Sequence, residues 1–273
     1  MKDLKITNPD KILFPQDKIK KIDVINYYLD VCKIMLPFIK DRPLSVIKCH
    51  DNIDGEIFFK KHPTNDKDYV CTFKEGKEEY FYINKDYQLV FQAQNGTIEF
   101  HIGGGKAKSK KPDFMVLDLD PDEKLVLSKL RQAVKNVKSV LDELGLQSYL
   151  KTSGGKGYHI MVPFSTSKNW DSFYTFSKNL AEFIENKWQD TFTTNIKKVN
   201  RKGKIFIDYL RNNQGSTCVA PYSLRARKGA SISFPIAWED LDKIKPNQIN
   251  IKNYKKYINN AWGDFFDIKQ RIK

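Results

Sequence analysis

The run DFMVLDLDPDE (residues 113–123) is apolar like a buried strand until Asp118 and Asp120 break it. On a strand, side chains two positions apart share a face, with Cα atoms about 6.6 Å apart. The two carboxylates therefore project together, and Leu117 and Leu119 face the other way. Paired acids on an apolar strand repel and lose hydration unless a cation joins them, and a hard divalent ion with oxygen ligands fits that role. The same spacing also occurs where a strand runs out into water, and Pro121 marks such an end. A third acid, Asp208, sits inside KIFIDYL, another hydrophobic run. Strands of one sheet can bring it beside the first two. Three acids from two strands can hold a pair of Mg²⁺ or Mn²⁺ ions, the arrangement used for in-line nucleotidyl transfer. A surface-facing acid on a half-exposed strand is the other reading of Asp208.

Between these acids lies KTSGGKGYH (151–159), flanked by strand-like runs. Glycines such as Gly155 let backbone amides approach an anion, Lys156 adds charge, and Ser153 and His159 can donate to phosphate oxygens. The spacing is not that of a Walker A loop. A plain Gly-Gly hairpin turn is the alternative. Downstream, Arg225 and Arg227 alternate in SLRAR and suit phosphate binding or an exposed edge. His101 closes the run TIEFH and could face the same site. Phe58 and Phe59 could supply a stacking platform for a base, with one of the two exposed and the other in the core.

Several elements must position these groups. Residues 19–39 space Val24, Tyr27, Tyr28, Val31, Met35 and Phe38 as one face of a helix that stops before DRP. From 45 to 102, SVIKC, EIFFK, EYFYI, QLVFQA and TIEFHI read as strands. A Gly- and Lys-rich loop, 103–112, leads into FMVLDLD. A helix follows with Leu130, Val134, Val137, Leu141 and Leu144 on one stripe, ending at Gly145. SYLKT and YHIMVPF are strands. A further helix over about 168–188 turns Phe173, Phe176, Leu180, Phe183 and Ile184 inward. The order predicts a mixed α and β unit of two lobes, with no repeat and no boundary clearer than the 103–112 loop.

The chain has 273 residues, enough for a large core, and a formal net charge of +14. Such an excess suits a polyanionic partner, although a Lys-rich proteome would raise it as well. Cys32, Cys49, Cys71 and Cys218 are scattered without zinc-finger spacing, as expected of reduced structural cysteines. No signal-peptide run and no membrane span is visible, so a cytoplasmic, nucleoid-associated protein is expected.

Together, DLDPDE, SGGKGYH, FIDYLRN and APYSLRAR, in this order, resemble the polymerase module of bacterial ligase D, a branch of the archaeo-eukaryotic primase superfamily. ITNPDKILFP, KIDVINYY, FFKKH and GTIEFH extend the similarity over almost the whole chain. The resemblance implies a primase-polymerase fold: an RRM-like catalytic sheet packed with helices, beside a smaller β-rich N-terminal lobe. It implies one catalytic domain over 1–273, with lobes 1–105 and 112–273. The implied activity is template-directed nucleotidyl transfer that fills gaps and extends DNA ends in non-homologous end joining, with Ku and a DNA ligase as partners. A preference for ribonucleotides and manganese is implied too. Asp118, Asp120 and Asp208 then look like metal ligands. Ser153, Gly155, Lys156, His159, His101 and Arg225 look like nucleotide contacts, and Phe58 with Phe59 like the base-stacking pair. Asn8, Lys11 and Lys21 look like the pocket for a downstream 5′-phosphate.

The chain departs from the family where HIGGGKAKSKKPD replaces an aromatic-containing segment, and it carries no ligase Lys-x-Asp-Gly motif and no phosphoesterase-like histidine cluster. A stand-alone polymerase or an excised module is expected. Primer synthesis de novo, a metal-dependent nuclease and a non-catalytic DNA-end-binding module are the competing functions.

Overall fold

The computed structural model describes residues 5–63, 69–109, 111–165, 168–259 and 261–272. Its largest sheet has six strands, in spatial order Phe192–Thr193, Ile205–Asp208, Phe114–Pro121, Tyr158–Pro163, Tyr149–Thr152 and Pro235–Ile236. All neighbours are antiparallel except the first pair. The acidic strand Phe114–Pro121 sits inside this sheet, which explains its apolar length: Phe114 to Leu117 and Leu119 are all buried. A second, four-stranded antiparallel sheet runs Thr217–Val219, Thr97–Gly103, Leu44–Cys49, Ile57–Lys60. Its first strand returns from the C-terminal half of the chain, so the two halves are interleaved.

Four α-helices complete the framework: α1 (Lys21–Ile39), α2 (Asp86–Gln94), α3 (Leu127–Glu143) and α4 (Trp170–Lys187). Every residue of the expected α1 stripe is buried. Its two tyrosines satisfy their hydroxyls by donating to main-chain carbonyls, Tyr27 to Tyr222 and Tyr28 to Ile98, each at 2.6 Å. In α3 the stripe holds from Leu130 to Leu141, but Leu144 caps the helix and is exposed. Gly145 follows with φ +66°, the left-handed position a C-terminal glycine supplies.

Two further expectations need correction. Phe183 is 52% exposed, because the buried stripe of α4 runs through Phe173, Ser177, Leu180, Ala181 and Ile184. At about 100° per residue, Phe183 falls about 100° from the centre of that stripe. QLVFQA is part of a helix, α2, and not a strand. The Gln88 side chain accepts from the amides of Asn84 (2.9 Å) and Lys85 (3.1 Å) and so caps the first turn, and only Val90 is β-branched.

Two polar devices lock the sheets around the acids. Arg42, 2% exposed, grips Asp113 through two bonds of 2.6 and 2.9 Å and covers the Phe114 ring, anchoring the start of the acidic strand to the second sheet. Asn212 accepts from Val116 N and donates to Val116 O, both at 2.8 Å, and thus replaces a strand where the ladder ends beyond Asp208.

Candidate active site

The register across the large sheet places Asp208 opposite Asp118, Asp118 opposite His159, and His159 opposite Lys151. Residues facing each other across antiparallel strands share a face, so these four form one row, with Asp120 two positions along on the same face. Asp118, Asp120 and Asp208 open into a cavity of about 370 Å³, also lined by Arg201, Phe206 and Arg211. Asp118 is held from one side by His159 Nε2 at 3.2 Å. From the other, Arg211 Nε lies 3.0 Å from Asp208 and 3.9 Å from Asp118. Arg201 lies flat on the Phe206 ring and reaches to 4.0 Å from Asp120.

Burial, and then the neighbouring Asp208 charge, push the Asp118 carboxyl up to about 6 despite Arg211. Among the described residues, no three His, Cys, Asp or Glu side chains are gathered tightly enough to cage an ion as they stand. Instead, the two arginines supply positive charge around the acids. The donors are all carboxylate oxygens, which fits a hard divalent ion and gives no thiolate or imidazole set for zinc.

The SGGKG hairpin is tightly built. Ser153 Oγ accepts from the amides of Gly155 (3.0 Å) and Gly157 (3.2 Å), so both are used within the turn. A Cβ on Gly157 would stand 1.9 Å from Leu119 O, and only glycine lets the turn lie against the acidic strand. Lys156 turns outward to Glu123 at 2.5 Å. Arg225 donates to Ser153 O at 2.7 Å, and Arg227 lies beside Gly155. The hairpin is thus ringed by cations, but its amides do not form an open cradle.

On the facing sheet, His101 Nε2 lies 2.9 Å from Glu99, and Arg225 Nε lies 3.0 Å from the same oxygen. Burial alone would raise Glu99, but the bond to His101 and the charge of Arg225 hold it at about 2. His101 itself is lowered by burial against the pull of Glu99. Phe59 is 55% exposed, its ring 6.4 Å from that of His101. Phe58 lies on the opposite face, paired with Lys48 and 5.1 Å from the His50 ring. The two phenylalanines therefore do not form one platform.

Asn8, Lys11 and Lys21 line a separate cavity of about 360 Å³, together with Lys48, His50 and Gln94. Lys21 is nearly buried and donates to Thr7 O at 2.7 Å, and burial and then the Lys11 charge lower its pKa. Two or more cations converging on a polar hollow make an anion site.

Sequence reasoning missed Glu99, Lys151, Arg201 and Arg211. Glu99 and Lys151 carried the signal that singled out the aspartates, a charge inside an apolar strand. Arg211 follows Asp208 by three residues, and only the course of the chain reveals its aim.

Residues 20–266 match the family described as LigD, primase-polymerase domain. The chain is 33% identical to the multifunctional non-homologous end joining protein LigD of Pseudomonas aeruginosa, over 98% of this chain and 34% of that protein. It is 31% identical to the bifunctional non-homologous end joining protein LigD of Bacillus subtilis, over 97% of this chain and 44% of that protein. The chain thus spans between about a third and under half of the length of these relatives. Its fold matches the polymerase domain from Mycobacterium tuberculosis ligase D in complex with DNA with a TM-score of 0.87 at 27% identity, covering 94% of this chain and 95% of that one.

Proposed function

Because the chain belongs to the family of LigD primase-polymerase domains, we propose that it is a DNA-directed nucleotidyl transferase that extends DNA ends and fills gaps in non-homologous end joining. The observation that carries this is the placement of Asp208 directly opposite Asp118, with Asp120 on the same face and His159 on the far side. Asp118, Asp120 and Asp208 would hold divalent ions, Mn²⁺ or Mg²⁺. Such ions supply activation of the primer 3′-hydroxyl and charge neutralisation at the triphosphate. His159, Arg225 and Arg227 would receive the triphosphate beside the Ser153–Gly157 turn, joined by Lys156 on leaving Glu123. His101, held by Glu99, and the exposed Phe59 form the opposite wall, where a sugar and base would lie.

The Asn8, Lys11 and Lys21 cavity is the seat of a downstream 5′-phosphate, and Phe58 lies beside the ring of its lining residue His50. We read residues 1–105 and 112–273 as two lobes of one catalytic unit acting with Ku and a DNA ligase at the nucleoid, with a preference for ribonucleotides. No helix among the described residues is long and apolar enough to cross a membrane.

The test is extension of a gapped duplex bearing a 5′-phosphate or a 5′-hydroxyl, with ribo- or deoxyribonucleotides and Mn²⁺ or Mg²⁺. Asp118→Ala and Asp208→Ala should abolish addition while DNA binding persists, since phosphate contacts lie elsewhere. Lys21→Ala should bring the 5′-phosphate gap down to the rate of the 5′-hydroxyl gap. Full extension by either aspartate variant would refute the assignment.

A further inference from the structure

Lys151 ends the row that begins at Asp208, and it is 0% exposed. An ammonium in such a place costs several kcal/mol unless its donors are used. Its Nζ lies 2.6 Å from Ser233 Oγ and 3.1 Å from His159 Nδ1. The Ser233 hydroxyl gives its own hydrogen to Thr152 O at 3.0 Å, so its oxygen is left to accept and Lys151 must donate to it. A lysine ammonium has three donors and no acceptor, and therefore His159 Nδ1 accepts as well. A neutral imidazole that accepts at Nδ1 carries its proton on Nε2. That nitrogen stands 3.2 Å from Oδ1 of Asp118, which lines the cavity.

We propose that Lys151 is the positioning residue of His159: anchored by Ser233, it fixes the ring with Nε2–H directed at the catalytic face as a ready donor to a phosphate oxygen. The proposal rests on the reading of His159 as a nucleotide ligand. Without Lys151 the Asp118 carboxylate alone favours the proton on Nε2, and the ring loses the contact at Nδ1 that fixes its direction. A ring that accepts from Lys151 at Nδ1 carries no proton there, so it is neutral, and its tautomer decides whether Nε2 donates. Burial also lowers Lys151, to about 7, while the Asp118 charge favours its ammonium form, the form with no lone pair to offer Nδ1.

The experiment is ¹⁵N NMR of the whole chain with labelled histidine, without metal at pH 7, with the His159 signals assigned through His159→Gln. The expected wild-type ring is protonated at Nε2 and bare at Nδ1. Lys151→Met should shift the Nδ1 signal, which loses its donor, populate the Nδ1–H form in part, and raise the nucleotide KM about tenfold with a smaller effect on kcat, as for loss of one oriented donor. Ser233→Ala, which removes the anchor together with the bond to Thr152 O but keeps Lys151, should move the same signals in the same direction and serves where the methionine variant does not fold. A wild-type ring protonated at Nδ1, or signals unchanged in the variant measured, overturns the proposal. A chain that adds no nucleotide yet shows the expected tautomer overturns the polymerase reading and leaves the positioning role standing.

Discussion

Replacing Asp118 with asparagine should make the metal-free protein more stable while ending nucleotide addition. The side chain is 18% exposed and lies between His159 and Asp208. Burial and the Asp208 charge carry its carboxyl from 3.8 to about 6. A group raised on folding contributes stability that is complete below its unfolded value and is lost as pH rises through its folded value. Above pH 6 the folded protein therefore bears the whole cost of an unwelcome charge. At about 1.4 kcal/mol per pH unit the span corresponds to about 3 kcal/mol, and screening by water at the open side reduces it to about 2 kcal/mol. Asparagine keeps an oxygen to accept from His159 Nε2–H and removes the charge. For a chain of this size the gain amounts to a rise in Tm of roughly 4–8 °C at pH 7.5. The gap should narrow as pH falls from 6 towards 4, where the wild-type carboxyl is protonated. Mn²⁺ should raise the wild-type Tm through binding to the native state and raise the variant's less. Paired melts at pH 7.5 and pH 4, with and without Mn²⁺, check all three statements. An asparagine variant less stable than wild type at pH 7.5, or a gap of equal size at both pH values, would refute the reasoning.

Glu99→Gln removes the charge that pairs Arg225 inside the protein and accepts from His101 and Ala226 N. Breaking a buried pair in this way should cost about 3 kcal/mol in urea unfolding at pH 7, and a cost under about 1 kcal/mol would show that Arg225 finds solvent or another acceptor. Glu99 is held at about 2, so its stabilisation is present above 4.5 and is lost as pH falls through about 2, and the variant should lack that acid-sensitive component. Gly157→Ala should destabilise by several kcal/mol or yield insoluble protein, because its Cβ would meet the Leu119 carbonyl at 1.9 Å, an atom of the central strand that cannot step aside. A soluble alanine variant with wild-type Tm would mean that the hairpin has a second way to sit on that strand.

The legible parts of this molecule are those in which one residue contradicts its surroundings. Asp118, Asp120 and Asp208 stand out because each is a charge in an apolar strand; burial makes such a charge costly enough to demand a partner at Asp118 and Asp208, while Asp120 is exposed near the strand end. The long helices were legible because 3.6-residue periodicity over four or five turns cannot be mistaken for alternation. QLVFQA was not, because six residues with three consecutive apolar positions suit a strand or a buried helix equally, and only the Gln88 cap and contact with α1 decide. Two-residue strands such as Phe192–Thr193 and Pro235–Ile236 leave no pattern at all. Loop cations were the hardest to place: Lys156 pairs with Glu123, while Arg211 turns onto Asp208, and neither aim is set by local spacing.

The row across the sheet shows why the contradictory residues belong together. Asp208 and Asp118 bring negative charge to the side that opens on the cavity, and Lys151 brings positive charge to the side that is sealed. The Lys151 charge favours ionised Asp118, opposing part of the penalty that burial and Asp208 impose. Each of these charges is expensive alone, and Asp118 and Lys151, two strands apart, lower each other's cost. A charge placed at the same register of neighbouring apolar strands is therefore a more specific signal than any of the motifs taken singly, since core packing gives no reason for ionisable groups to align across four strands of one sheet. On that ground the buried lysine, which sequence reasoning read only as part of the strand SYLKT, belongs with the aspartates that first drew attention to the site.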